Sequence, residues 1–108
     1  MKISEILINA KAIISKPENW TQCVYARDIN GNTNIWGYDT SATCWCSVGA
    51  IQKILNDKEH SVASAFLNDA CDGSIINYND EHTHEEVMTV WDKAIAAAIE
   101  AEKEQTND

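Results

Sequence analysis

The sequence predicts a mainly α fold, one compact domain of four helices with a short β-hairpin between the first and the second. Three observations carry that expectation. Apolar residues recur at helical spacing in four separate segments. Between Trp20 and Tyr38 that period disappears, and Asn30-Gly31 stands between runs of β-forming residues. Thr83 and Glu86, three positions apart, form a capping box at the head of the longest apolar stripe. With 108 residues, 44% of them hydrophobic, the chain is long enough to bury one core without covalent staples.

The first helix is expected over residues 1–16, where Ile3, Ile6, Leu7, Ala10, Ile13 and Ile14 share a face. Pro17 disfavours helical geometry in the residue before it and ends the helix. The hairpin is expected over residues 20–38, with Val24, Tyr25 and Ile29 on one side of Asn30-Gly31 and Thr33, Ile35 and Trp36 on the other. A lone hairpin is marginal in water, so it must lie against the helices. Asp39, Thr40 and Ser41 offer N-caps for a second helix over residues 42–55, in which Cys44, Val48, Ile51 and Leu55 repeat. Gly49 inside that helix costs about 1 kcal/mol relative to Ala, which predicts another backbone or a bulky ring close by. Ser61 caps a third helix over residues 61–72, with Val62, Ala63, Phe66, Leu67 and Ala70 inward and Gly73 as its stop. Residues 74–77 read as a short extended piece. The fourth helix is expected over residues 83–103, with Val87, Met88, Trp91, Ala94, Ile95, Ala98 and Ile99 on its inner arc and a polar tail from Glu102 that frays.

Charge narrows the function classes. Eight basic against 17 acidic side chains give a net charge of −9, and residues 79–108 alone hold nine acidic against two basic residues, or −7. Clusters of Lys and Arg are what nucleic acids and anionic membrane surfaces require, so neither is an expected partner. The N-terminal apolar stretch is broken by Glu5, Asn9 and Lys11, which reads as neither signal peptide nor anchor. A cytoplasmic location is therefore expected, with Cys23, Cys44, Cys46 and Cys71 reduced.

Four constellations bear on chemistry. Cys44-x-Cys46 and His82-x-His84 are pairs of soft ligands, but neither has the spacing of a structural zinc site. Two helical positions two apart point about 200° away from each other, so no metal and no cofactor are expected, and both histidines read as solvated neighbours in the first turn. Cys46 near a helix start, with His82 or His84 as base and Asp80 as orienter, would make a nucleophile. A buried inert thiol is the commoner meaning of such a cysteine, and no catalytic residue is assigned. The third constellation, Tyr78-Asn79-Asp80 with Gln22 and Arg27-Asp28, reads as a polar network in which Asn79 or Asp80 forms a turn into the last helix and Arg27 pairs with a carboxylate. Its functional alternative is a ligand pocket of Gln22, Arg27, Trp45, Cys46, Asn79, Asp80 and His82. The tryptophans read as core and hairpin cover, since a base-stacking platform would need basic residues between them. The fourth is a strip of Glu85, Glu86, Asp92, Glu100 and Glu104 on the outer face of the last helix. Such a strip is ordinarily a solvated helix face, and it also suits docking to a basic protein.

Three segments together resemble a known family: W-T-Q-C-V-Y-A-R-D-I-N-G from Trp20, A-T-C-W-C-S-V-G-A-I from Ala42, and N-Y-N-D-E-H-T-H-E-E-V from Asn77. They are similar to an uncharacterised domain-of-unknown-function family of small bacterial and phage proteins. In that family a Trp-x-Gln segment with Ala-Arg-Asp and a Gly precedes a Cys-x-x-Gly-Ala helix start, and an Asn-Asp turn with Thr-x-x-Glu-Val opens the last helix. His82 departs from the family pattern, which often has Arg before the Thr. The resemblance implies a layout and a prokaryotic or phage origin, and no reaction. Taken with the charge, it leads to an expected function: a small acidic, non-enzymatic, phage-associated protein that binds a basic host protein through its acidic helix face, as an inhibitor of host defence or transcription. The alternative is a small-ligand binder or minor enzyme centred on Arg27, Cys46, Asp80 and His82.

Overall fold

The computed structural model describes residues 1–106. Among them are five α-helices: α1 (Ile3–Ile14), α2 (Ser47–Leu55), α3 (Ser61–Ala70), α4 (Ile75–Glu81) and α5 (His84–Thr106). A two-stranded antiparallel sheet, β1 (Ala26–Asp28) with β2 (Ala42–Trp45), lies between α1 and α2 in the chain. The class is mainly α with a small sheet, as the sequence predicts, but the number of helices and the placing of the strands differ. Asn107 and Asp108, the end of the tail expected to fray, lie outside the described residues.

The core forms where the apolar stripes of the helices meet. Ile6, Leu7, Ala10 and Ile14 of α1 pack with Val48, Ala50 and Ile51 of α2, with Ala63 and Leu67 of α3, and with Val87, Val90, Trp91, Ala94 and Ala98 of α5. The small residues of α5 let its neighbours approach closely, and Trp91 fills the centre with none of its surface exposed. Two of the inward positions expected from spacing turn outward: Val62 is 61% exposed and Ile99 is 38% exposed. The two ends of the chain are tied by Glu102, whose carboxylate accepts from the Ser4 amide at 3.0 Å and from Ser4 Oγ at 2.6 Å. A carboxylate at the first turn of α1 satisfies donors that the helix itself leaves without partners.

The predicted start of the last helix is confirmed in detail. Thr83 N–H donates to Glu86 Oε1 at 3.0 Å while the Glu86 amide donates back to Thr83 Oγ1 at 3.2 Å, the reciprocal pair of a capping box. The close approach expected at Gly49 is also present, since a Cβ there would overlap the Tyr25 carbonyl. Gly37 repeats the arrangement one layer out, where a Cβ would strike the Gly49 carbonyl. The loop carrying Gly37 is thereby laid flat on α2, fixed by Gly37 N–H to the buried Gln52 Oε1 at 2.9 Å and by Trp45 Nε1 to the Gly37 carbonyl at 2.8 Å.

Three expectations are corrected. The hairpin over residues 20–38 does not form. Asn30-Gly31 makes a turn, but one closed by Gly31 N–H to the Asp28 carbonyl, with Gly31 fourth in the turn at φ +81°. Asp28 Oδ1 takes the amides of Asn30 and Asn32, and a single backbone rung, Asp28 N–H to the Asn32 carbonyl at 3.1 Å, pairs back before the chain leaves for α2. The partner of β1 is residues 42–45, expected to open a helix over 42–55. Thr43 is bulged out between the pairs Arg27↔Cys44 and Asp28↔Ala42, and the cap candidates Asp39 and Ser41 bond to each other instead of to a helix. Helix α2 therefore starts at Ser47, with Cys46 as its cap. Finally, residues 75–77 are helical and open α4, because Ser74 caps it through the Asn77 amide and Asn68 Oδ1 takes the Ile75 amide. At the end of α3 the left-handed residue is Asp72, at φ +57°, and not Gly73.

Candidate functional site

Segment 20–23, the start of α2 and helix α4 converge on one side chain, Asn79, which is 1% exposed. Its Oδ1 accepts from Trp20 Nε1 at 2.8 Å, from the Ser47 amide at 3.1 Å and from Ser47 Oγ at 2.8 Å. Its Nδ2 donates to the Thr21 carbonyl at 3.1 Å. Ser47 Oγ in turn accepts from the indole N–H of the buried Trp91 at 3.0 Å, so the network runs into the core of α5. Gln22 closes the other side, its Nε2 placed against the carbonyls of Asn79 and His82 at 3.0 Å each, where α4 leaves acceptors unpaired. The polar network predicted for this constellation is thus present, with Asn79 inside a helix and not in a turn.

Other predicted members take different partners. Among the described residues Arg27 makes no ion pair with a carboxylate: its Nε donates to Thr21 Oγ1 at 2.8 Å and its Nη2 lies 3.3 Å from the Gln22 carbonyl. His82 Nδ1 donates to the Tyr78 carbonyl at 2.9 Å and its ring stacks on that of Tyr78 at 3.6 Å. His84 is not merely solvated, since its Nε2 donates to the Ile14 carbonyl at 2.7 Å and closes the end of α1. Cys44 sits on β2 while Cys46 is buried at the cap of α2, accepting the Gly49 amide. Burial pushes the Cys46 thiol up to about 11, with the Asp80 carboxylate adding to the shift. A thiol so placed is not a prepared nucleophile, and both histidines are engaged with carbonyls elsewhere.

Beside the network lies an open cavity of about 280 Å³. Cys46, Asn79 and Asp80 of the predicted pocket line it, together with Cys23, Val24, Tyr25, Thr33, Ser47, Val48 and Ile76. Gln22, Arg27, Trp45 and His82 do not line it. Asp80 Oδ1 accepts the Cys23 amide at 2.8 Å and holds Cys23 in a left-handed conformation, φ +73°. Among the described residues the other two left-handed side-chain-bearing ones, Asn56 and Asp72, are of types that tolerate it; a cysteine there is strained. Cys23, Val24 and Thr33 carry no motif that distinguishes them, so sequence reasoning had only the Cys-Val-Tyr run beside Gln22 to find them by.

On the face of α5 turned away from the core, Glu85, Glu86, Asp92, Glu100 and Glu104 are all exposed. Asp92 pairs with Lys11 at 2.6 Å, and Glu86 is held by the cap, where the Thr83 amide and hydroxyl keep its carboxyl below the usual range. No helix among the described residues is long and apolar enough to cross a membrane, and no group of three His, Cys, Asp or Glu side chains there is placed to hold a metal.

The sequence model of DUF6197, a family of unknown function, matches residues 1–97, and the chain belongs to that family. No match is found among curated proteins or among solved structures.

Proposed function

We propose that this member of DUF6197 is a non-enzymatic binding protein that docks on a basic partner protein through the outer face of α5. One observation carries the reading: five carboxylates are exposed along that face, of which Asp92 is paired with Lys11. A strip of net negative charge steers a positively charged surface toward it and fixes its orientation, while adding little affinity per charge. The likeness of the three sequence segments to small bacterial and phage proteins supports a phage-associated protein with a host protein as its partner, and inhibition of host defence or transcription as the outcome. The test is the salt dependence of binding to the host protein that the chain captures, measured with both proteins purified. Binding that weakens steeply with salt, and again with Glu85, Asp92, Glu100 and Glu104 changed to Gln, is the expected result.

A second reading is favoured by the cavity, in which Cys46, Asn79 and Asp80 meet beside a strained Cys23. On this reading the chain also holds a small ligand, and the acid strip and the cavity are separate sites.

A further inference from the structure

The cavity between segment 23–25, α2 and α4 has a definite chemical bias. Its walls are largely apolar, from Val24, Tyr25, Val48 and Ile76. The polar groups at its base are already consumed: Asn79 Oδ1 accepts three hydrogen bonds, Asn79 Nδ2 donates to Thr21, and Ser47 Oγ donates to Asn79 while accepting from Trp91. They offer a ligand nothing. Asp80 is the exception, because both hydrogen bonds to its carboxylate, from the Cys23 amide and Asn79 Nδ2, fall on Oδ1. No cation pairs with Asp80 among the described residues. The charged group with unused capacity in the cavity is thus the Asp80 carboxylate, set in largely apolar walls, and a ligand complementary to it brings a donor with positive charge and an apolar body.

We propose that this cavity is the binding site of a small organic ammonium ion, with its charged nitrogen on Asp80 Oδ2 and its apolar body against Val24, Tyr25, Val48 and Ile76. The proposal rests on the second reading above. A volume of about 280 Å³ admits a ligand of roughly ten heavy atoms, a primary amine on a phenyl or branched alkyl group. Asp80 has two roles here, since the oxygen that holds Cys23 in its strained turn leaves the second oxygen free for the cation.

The test compares three probes of one shape, 2-phenylethylamine, 2-phenylethanol and 3-phenylpropanoate, titrated into the ¹⁵N-labelled protein and followed by amide chemical shifts. The expected result is saturable shifts at Cys23, Val48 and Asp80 with the amine bound at least about tenfold more tightly than the alcohol, and no binding of the carboxylate. Asp80→Asn keeps the acceptor for the Cys23 amide and removes the charge, so it should fold normally and lose that tenfold preference. Glu5→Gln, at an exposed acid of α1 that does not line the cavity, should change nothing. Equal binding of amine and alcohol, or a preference kept in Asp80→Asn, would overturn the ammonium assignment while leaving a ligand cavity in place. Shifts confined to α5, or none at the cavity with any probe, would overturn both the assignment and the reading it rests on.

Discussion

Replacing Asn79 by alanine should be among the most damaging single changes in this domain, and its size follows from the partners left behind. The substitution removes one acceptor of three hydrogen bonds and one donor. Ser47 Oγ can reorient and Trp20, half-buried, can reach water with its indole N–H. The Ser47 amide and the Thr21 carbonyl then lack partners, the first of them at a fully buried residue. At about 1–3 kcal/mol for each unsatisfied buried group, the loss is about 2–6 kcal/mol, a large share of the about 5–15 kcal/mol that holds a domain together. For a chain of this length that lowers Tm by at least about 10 °C. Urea denaturation followed by tryptophan fluorescence, with thermal melts by circular dichroism, measures it directly. Trp20→Phe is the control: it leaves Asn79 Oδ1 with both Ser47 donors and should cost only about 1 kcal/mol. The two changes together should cost less than their sum, because they remove the same bond. An Asn79→Ala loss under about 1 kcal/mol would refute the claim that this network organises the fold.

Further predictions concern Gly49, the thiols and the acid limb. Helix propensity alone predicts that Gly49→Ala stabilises by about 1 kcal/mol, whereas the Tyr25 carbonyl against that position predicts destabilisation of about 1–3 kcal/mol; the sign of the change in denaturation midpoint decides. With its thiol raised to about 11, Cys46 should resist iodoacetamide at pH 8 in the folded protein while exposed Cys23 is labelled, as peptide mass spectrometry would show; early labelling of Cys46 would contradict its burial. Glu59 holds the Ser61 hydroxyl and amide and the His60 amide, which pull its carboxyl from 4.5 down to about 2. Because the folded value is the lower one, its contribution is complete above pH 4.5 and is lost as pH falls toward about 2. The stability difference between the protein and Glu59→Gln should therefore be flat at neutral pH and close over that window.

What was legible in the sequence was local. The period of Ile6, Leu7, Ala10 and Ile14 and the capping box at Thr83 and Glu86 depend on residues near one another in the chain, and each is found where it was read; a glycine inside a helix likewise marked a close approach at Gly49, although its partner, Tyr25, is distant in sequence. The strand pairing was not legible, because Ala26–Asp28 and Ala42–Trp45 meet across a loop held by Gly37 on Gln52, a contact no local pattern encodes. Cys44, Val48, Ile51 and Leu55 fit a helical period although Cys44 is in a strand, so periodicity ran past the true start of α2. Cys46 was the hidden boundary: a thiol is a weak acceptor and not a usual cap, yet here it takes the Gly49 amide. Helix α4 was missed for want of length, although Ser74 before Ile75, Tyr78 and Asn79 is a cap followed by helical spacing. Of the residues expected at a pocket, Cys46, Asn79 and Asp80 line the cavity. Arg27 and His82 do not line it: Arg27 donates to Thr21 Oγ1 with the Gln22 carbonyl further off, and His82 donates to the Tyr78 carbonyl, partners that no local pattern marks.

The central claim is that a basic partner meets the carboxylates of α5. Its most direct test is the affinity for the captured host protein, measured by calorimetry from low to moderate salt, for the native chain and for the variant with Glu85, Asp92, Glu100 and Glu104 all changed to Gln. The expected affinity falls at least about tenfold as screening shortens from about 30 Å at 0.01 M to about 8 Å at 0.15 M, with a shallower dependence and weaker binding in the variant. An affinity unchanged by salt and by the four substitutions would contradict it.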